Sequence, residues 1–172
     1  VEEHCRLLGS KFRFFHVENL RGAKAGALNW SHSYLNPKTG ILGIIDADYH
    51  AEPDFLKALV GHFDDPRVGF VQTPPDYRDW QHNLFLTMCY WEYRAFFNTT
   101  MISLNERGAG LTVGTMCLIR KRALELAGGW SEWCVTEDSE LAIRIHQAGY
   151  SSVYVNTTFG RGLIPDTFES YK

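Results

Sequence analysis

Residues 41–48 read ILGIIDAD, an unbroken apolar run from Ile41 to Ile45 that ends in Asp46, Ala47 and Asp48. Pro37 and Gly40 break the chain just before it. A run that is apolar at every position suits a strand buried on both faces, and such strands belong to parallel sheets covered by helices on both sides. The two carboxylates then fall at the strand's carboxyl end, where α/β folds open the crevice that receives ligands.

The flanking pattern extends this layer architecture in both directions. Pro53 suits the first turn of a helix in which Phe55, Leu56, Leu59, Val60 and Phe63 share a face. Val68 to Gln72 reads as the next strand, closed by Pro74 and Pro75. Upstream, Phe12 to Val17 reads as a strand, and Ala23 to Tyr34 as a helix with Ala23, Ala27, Trp30 and Tyr34 on one stripe. Val1 to Leu8 reads as a further helix.

Downstream, Gln81 to Leu104 is the longest helical stretch and gathers Phe85, Tyr90, Trp91, Tyr93, Phe96 and Phe97. Such a helix packs in a core, or lies near a membrane surface or a partner domain. Leu111 to Arg120 reads as a strand. Lys121 to Ala127 reads as a short helix stopped by Gly128 and Gly129. Glu137 to Gln147 reads as a helix capped by Thr136 in front and Gly149 behind. Ser152 to Val155 is a short strand, and a helix begins after Pro165. Alternating apolar runs and amphipathic helices mean α/β, with a mainly parallel sheet.

The chain has 172 residues, enough for one domain with a sizeable core. With 17 Lys and Arg against 20 Asp and Glu, the net charge of −3 leaves no basic footprint for nucleic acid. No apolar run approaches the roughly 18–20 residues of a membrane span. Cys5, Cys89, Cys117 and Cys134 are spaced too widely for a zinc knuckle. They suit reduced core thiols of a cytosol-facing protein, with a pair of disulfides as the alternative.

Four places could carry chemistry. Asp46 and Asp48 could hold a divalent cation, which takes one or two carboxylates plus phosphate oxygens. His50 could add a ligand or be a loop histidine. Arg21, Gly22 and Lys24 precede a helix whose small residues Ala23, Ala25 and Gly26 permit close approach, so a phosphate could sit there. Asp138 opens a helix, where the dipole favours acids, yet it shares a face with Leu141, Ala142 and Ile145, which makes it a general-base candidate. Gly114 interrupts the run from Leu111 to Thr115, and a glycine inside a strand often marks close approach by a ligand.

In order and spacing, KAGALN (Lys24 to Asn29), DAD (Asp46 to Asp48), VQTP (Val71 to Pro74), VGTMCLIRKRAL (Val113 to Leu124), GGW (Gly128 to Trp130) and VTEDSELAIRIHQAGY (Val135 to Tyr150) resemble glycosyltransferase family 2. The likeness is to its processive membrane polysaccharide synthases, such as cellulose synthase. Within these, GLIPDTFESYK (Gly162 to Lys172) is most similar to bacterial β-glucan synthases.

The resemblance implies a Rossmann-like fold of the glycosyltransferase-A type, truncated at both ends, with residues 1–172 forming the central and C-terminal part of one catalytic domain. It implies inverting transfer of a sugar, glucose by the closest likeness, from a UDP-sugar to a growing β-glucan or related polysaccharide. Asp46 and Asp48 would bind Mg²⁺ or Mn²⁺ and the donor diphosphate, and Lys24 would approach that diphosphate. Asp138 would be the base, with Gly114, Thr115 and Glu137 at the acceptor pocket.

The family's first strand, with its uridine-binding acids, would precede Val1, and its Gln-x-x-Arg-Trp motif would follow Lys172. The segment alone is therefore expected to be soluble, to turn over little, and to self-associate. The whole protein is expected at the cytoplasmic face of a bacterial inner membrane, anchored by segments outside this chain. The alternatives are a catalytically inactive scaffold or regulatory module of the same fold, and a metal-dependent nucleotidyltransferase.

Overall fold

A computed structural model describes residues 1–171. The elements follow in the order α1 (Glu2–Leu8), α2 (Ala23–His32), β1 (Ile41–Ile44), β2 (His50–Ala51), α3 (Phe55–Leu59), β3 (Val68–Gln72), β4 (Asp76–Arg78), α4 (Leu84–Ala95), α5 (Met101–Glu106), β5 (Cys117–Arg120), α6 (Lys121–Ala127), α7 (Glu137–Gln147), β6 (Ser151–Tyr154), β7 (Gly160–Leu163) and α8 (Phe168–Tyr171).

The central sheet has the order β1-β5-β3-β6, and a small second sheet has the order β2-β7-β4. Helices cover both faces of the central sheet. On one face Phe70 and Ile119 pack with Ala25 of α2, Leu124 of α6 and Leu141, Ala142 and Ile145 of α7. On the other, Val71 and Leu118 pack with Phe55, Leu59 and Phe63. Adjacent residues of one strand thus serve opposite cores, as the alternation of side chains in a strand requires. Each such large apolar side chain contributes about 1.5–3 kcal/mol on full burial.

The expected mainly parallel sheet is corrected in one respect. In the central sheet β5 pairs antiparallel with both β1 and β3, and only β3 and β6 pair in parallel; in the small sheet β4 and β7 are parallel and β2 and β7 antiparallel. The cause is the path of the chain. It leaves β3 at Gln72 and returns from α4 and α5 on the same side, so β5 starts where its neighbours end. Its first residue, Cys117, lies opposite both Ile44 and Gln72, the last residues of β1 and β3.

Other expectations also shift. β1 ends at Ile44 and is an edge strand, so Gly43 and Ile45 are exposed rather than buried. Phe12 to Val17 forms no strand; no strand lies alongside to pair with it among the described residues, and Phe15 packs instead on Trp30 and Tyr34, with ring centroids 5.2 and 4.9 Å away. The α2 helix stops at His32. The stripe of α3 and the tight turn after it is Phe55, Leu59 and Phe63, while Leu56 and Val60 face out. Only Cys117–Arg120 of the 111–120 run is strand, because Gly114 and Met116 take left-handed backbone, with φ of 75° and 49°. β6 begins one residue earlier than predicted.

The aromatic stretch starts at Leu84, capped by the Asn83 side chain accepting from Leu86 N at 2.9 Å. It runs through a wide turn at Phe96–Thr100 into α5. Tyr93 and Phe97 face inward, while Leu84, Met88 and Trp91 are exposed. No helix among the described residues is long and apolar enough to cross a membrane. All four cysteines are free thiols; Cys89 and Cys117 are core residues as expected, but Cys5 and Cys134 are partly exposed.

Candidate active site

The carboxyl ends of β1 and β3 and the start of β5 converge on one side of the sheet, and the loop Thr112–Met116 enters there. At the end of β1, the Asp46 backbone N–H donates to Thr115 Oγ1 at 3.0 Å. Lys24, in the first turn of α2, donates from Nζ to Asp46 Oδ1 at 2.5 Å and to the Gly114 carbonyl at 2.8 Å. The Lys24–Asp46 pair is more than a third exposed on both sides, so it adds little to stability. Its consequence is placement: a cation fixed beside a carboxylate at the mouth of the crevice.

Asp48 is held from the second sheet. Its Oδ2 accepts from Leu163 N at 2.9 Å, and its backbone carbonyl accepts from Arg78 Nη2 at 3.2 Å. Next to it the Tyr49 ring lies flat on β7, where a Cβ at Gly162 would come within 2.1 Å of Tyr49 Cε2. Burial pushes the Tyr49 and Tyr77 hydroxyls up in pKa, reinforced by Asp46 and Asp48 nearby, so both stay protonated.

Asp138 occupies the first turn of α7. Its Oδ1 accepts from Ser139 N at 2.6 Å, and its backbone carbonyl accepts from Thr112 Oγ1 at 3.0 Å. Thr136 does not cap this helix through its side chain; its hydroxyl lies 3.5 Å from Cys134 Sγ. The Asp138 carboxylate faces Gly114, where a Cβ would lie 2.9 Å from Asp138 Oδ2 and 3.2 Å from Lys24 Nζ. Burial raises the Asp138 pKa, against the opposing pull of the Ser139 N–H and of Lys24. The result is a carboxylate that is costly to ionise and therefore a better proton acceptor than an ordinary surface aspartate.

Two openings flank this centre. One, of 540 Å³, is lined by Asp46, Asp48 and Thr115 together with Tyr49, Tyr77, Tyr93, Phe97 and Leu163. The other, of 500 Å³, is lined by Lys24, Glu132, Trp133, Val135, Glu137 and Asp138. The residues singled out from the sequence thus divide between two cavities, and the Lys24–Asp46 pair lies where they meet. Thr115 and Glu137, both expected at one acceptor pocket, line different cavities, and Gly114 lines neither. His50 pairs with Arg161 in the small sheet and lines neither cavity. Among the described residues no three His, Cys, Asp or Glu side chains gather to hold a metal ion by themselves.

Sequence reasoning missed the tyrosine wall. Its one local signal was the alternation Gly160-Arg161-Gly162, since glycine inside a strand marks close approach of another group.

The sequence pattern of Glycosyl transferase family group 2 matches residues 41–172. Two proteins of Arabidopsis thaliana, probable glucomannan 4-beta-mannosyltransferases 11 and 15, are each 31% identical over 159 residues, covering 90% of this chain and 36% and 29% of theirs. Among solved structures, the mannosyltransferase PcManGT from Pyrobaculum calidifontis, in complex with GDP-Man and Mn2+, superposes with a TM-score of 0.67 at 25% identity, covering 88% of this chain and 39% of that one. The chain therefore spans about a third of the length of the relatives it matches. The fold is a mixed α/β domain of the glycosyltransferase-A type. Matched from the first residue of its edge strand through residue 172, the chain belongs to glycosyl transferase family group 2.

Proposed function

We propose that these residues form the central and C-terminal part of a catalytic domain that transfers a hexosyl group, with inversion, from a nucleoside diphosphate sugar to a hydroxyl of a polysaccharide acceptor. The observation that carries this reading is the meeting of Lys24, Asp46 and Asp138 around Gly114. In the reaction the acceptor oxygen bonds to the anomeric carbon and the bond from that carbon to the diphosphate oxygen breaks. Asp138 takes the hydroxyl proton on its carboxylate. Lys24 meets the negative charge that grows on the leaving diphosphate. The apolar walls around Asp46 and Asp48 keep water from competing as the acceptor.

Asp46 and Asp48 fit a Mg²⁺ or Mn²⁺ ion. They are two carboxylates two residues apart in the one turn that follows β1, closed by Tyr49 N–H donating to the Asp46 carbonyl at 3.0 Å. Each has one oxygen already engaged by Lys24 or Leu163, and a hard cation of this class completes its shell with phosphate oxygens. Once bound, the ion would neutralise charge on the departing diphosphate.

Two readings of the sugar rest on specific observations. The likeness of GLIPDTFESYK to β-glucan synthases supports glucose from UDP-glucose and a β-glucan product. The names of the relatives support mannose, with GDP-mannose as donor. The synthase resemblance also supports a membrane-anchored protein whose anchors lie outside these residues. The open edge of β1, beside a 380 Å³ cavity of mixed lining that includes Leu28, Leu35, Ile41 and Trp130 with Ser31 and His32, supports self-association of the isolated chain.

The test is product analysis of the full-length protein in membranes, given radiolabelled UDP-glucose or GDP-mannose with Mg²⁺ or Mn²⁺. Polymer from one donor, lost in Asp138→Asn, is the expected outcome. Nucleotide binding without any transfer favours the inactive scaffold, and release of pyrophosphate from a nucleoside triphosphate favours nucleotidyl transfer.

A further inference from the structure

Gln72 ends β3 and is fully buried. Its Oε1 accepts from Val113 N at 3.0 Å. Its Nε2 faces three carbonyls, those of Thr73 at 2.7 Å, Thr115 at 2.9 Å and Met116 at 3.4 Å. The amide can sit only this way round, since a flip would set its oxygen against carbonyls and its NH₂ against an N–H. Thr73 adds a second anchor, with its Oγ1 donating to the Met116 carbonyl at 2.9 Å.

The loop so held is the hub of the site. Gly114 presents the carbonyl that takes Lys24, and Thr115 presents the hydroxyl that takes the Asp46 N–H. Thr112 is tied to the start of α7 twice, by its Oγ1 to the Asp138 carbonyl and by its own carbonyl to Ser139 Oγ at 3.2 Å. Three elements that carry charged residues therefore meet one loop, and the Gln72 carboxamide, with Thr73 beside it, fixes that loop to the sheet.

We propose that Gln72 is the positioning residue of this site: its carboxamide sets the conformation of residues 113–116 and, through them, the relative placement of Lys24, Asp46 and Asp138. The proposal rests on the reading of the site as a glycosyl-transfer centre. Leucine in its place would fill the space and make none of the bonds. Glutamate could still accept from Val113 N–H, but against the carbonyls it would either oppose them as a carboxylate or, protonated by burial, offer a single O–H in place of the two amide N–H donors.

The experiment compares Gln72→Leu and Gln72→Glu in the full-length protein with Leu124→Ala, a core substitution in α6 whose side chain lines neither cavity. Three quantities are read: kcat and donor KM per folded molecule, and hydrogen–deuterium exchange of the peptide covering 111–117. Both Gln72 variants should lose about 10²-fold in kcat, the loss that a displacement of about 1 Å produces, with donor KM raised and the loop exchanging faster. Leu124→Ala should lower the melting temperature and leave kcat and KM alone.

Wild-type kcat in folded Gln72→Leu, or lost activity with unchanged loop exchange, overturns the proposal. Should Gln72→Leu not fold, Gln72→Glu carries the same readouts. Should the wild type transfer no sugar, the glycosyl-transfer reading fails on its own. Loop exchange in the variants then still decides whether Gln72 holds the loop: faster exchange supports it and unchanged exchange overturns it.

Discussion

Gly114 and Asp138 are so close that no side chain fits between them: a Cβ on the glycine would lie 2.9 Å from the Asp138 Oδ2. The same glycine has a φ of 75°, so the backbone independently disfavours any other residue. Gly114→Ala should therefore cost about 1–2 kcal/mol of stability for the left-handed backbone alone. It should also cost about 10²-fold or more in turnover, because Asp138 must move. Denaturant titration and a transfer assay on the same preparation check both.

Asp138→Asn keeps the shape and still accepts from Ser139 N–H, but it cannot take a proton. Transfer should fall by about 10²–10⁴-fold, while donor affinity stays near wild type. Glu137→Gln, one position away on the same helix turn, should remain active if Asp138 alone is the base. An Asp138→Asn protein with near-normal turnover would remove the base assignment.

The raised pKa of Asp138 gives two pH effects of opposite direction. The base must be ionised, so turnover should fall on acidification at a higher pH than an ordinary aspartate would set, and Asp138→Asn should lose that limb. Stability runs the other way. Where the native state holds the proton and the unfolded state does not, stability falls as pH rises. At neutral pH the Asn variant should therefore melt no lower than wild type, as scanning calorimetry would read.

Asp46→Ala and Asp48→Ala should each abolish transfer and remove the dependence of nucleotide binding on Mn²⁺ or Mg²⁺. Folding should survive. The Asp48 bond to Leu163 N is one exposed hydrogen bond to a carboxylate, a net contribution of at most about 1.5–3 kcal/mol. Calorimetric titration of nucleotide with and without metal is the measurement, and unchanged metal dependence in both variants would discard the pair as ligands.

The 172-residue chain on its own should associate through the open edge of β1 and turn over little or nothing. Placing a charge beside that edge, as in Ile45→Lys at an exposed position, should shift it toward monomer. Light scattering coupled to gel filtration reads the change.

Much of this architecture is legible in hydrophobic spacing alone, because Val68–Gln72, Lys121–Ala127 and Glu137–Gln147 bury the faces their patterns mark. The direction of β5 is not legible, since a strand's apolar pattern reads alike from either end; the path of the preceding excursion sets it. Phe12 to Val17 carries apolar residues at strand spacing, but a strand exists only where a neighbour pairs with it. Lys24, Asp46, Asp48 and Asp138 were legible as types in order, yet their division between two cavities depends on which element turns which way. Gln72 looked like the polar end of a strand, and only its bonds to Val113 and Thr115 distinguish it.

Cys117 stands opposite the last residues of two neighbouring strands at once. The five residues ahead of it must thereby bridge a fixed span: if the loss of one drew β5 along by a residue, every later side chain of that strand would turn to the opposite face of the sheet. The excursion from Asp79 to Arg107 has no such constraint along the outer face of α4, where Leu84, Met88 and Trp91 face outward. In this chain, then, a residue added to or removed from the outer part of the helical arm that walls the tyrosine cavity would reshape what enters it, whereas the same change in the short bracket would displace the charged groups.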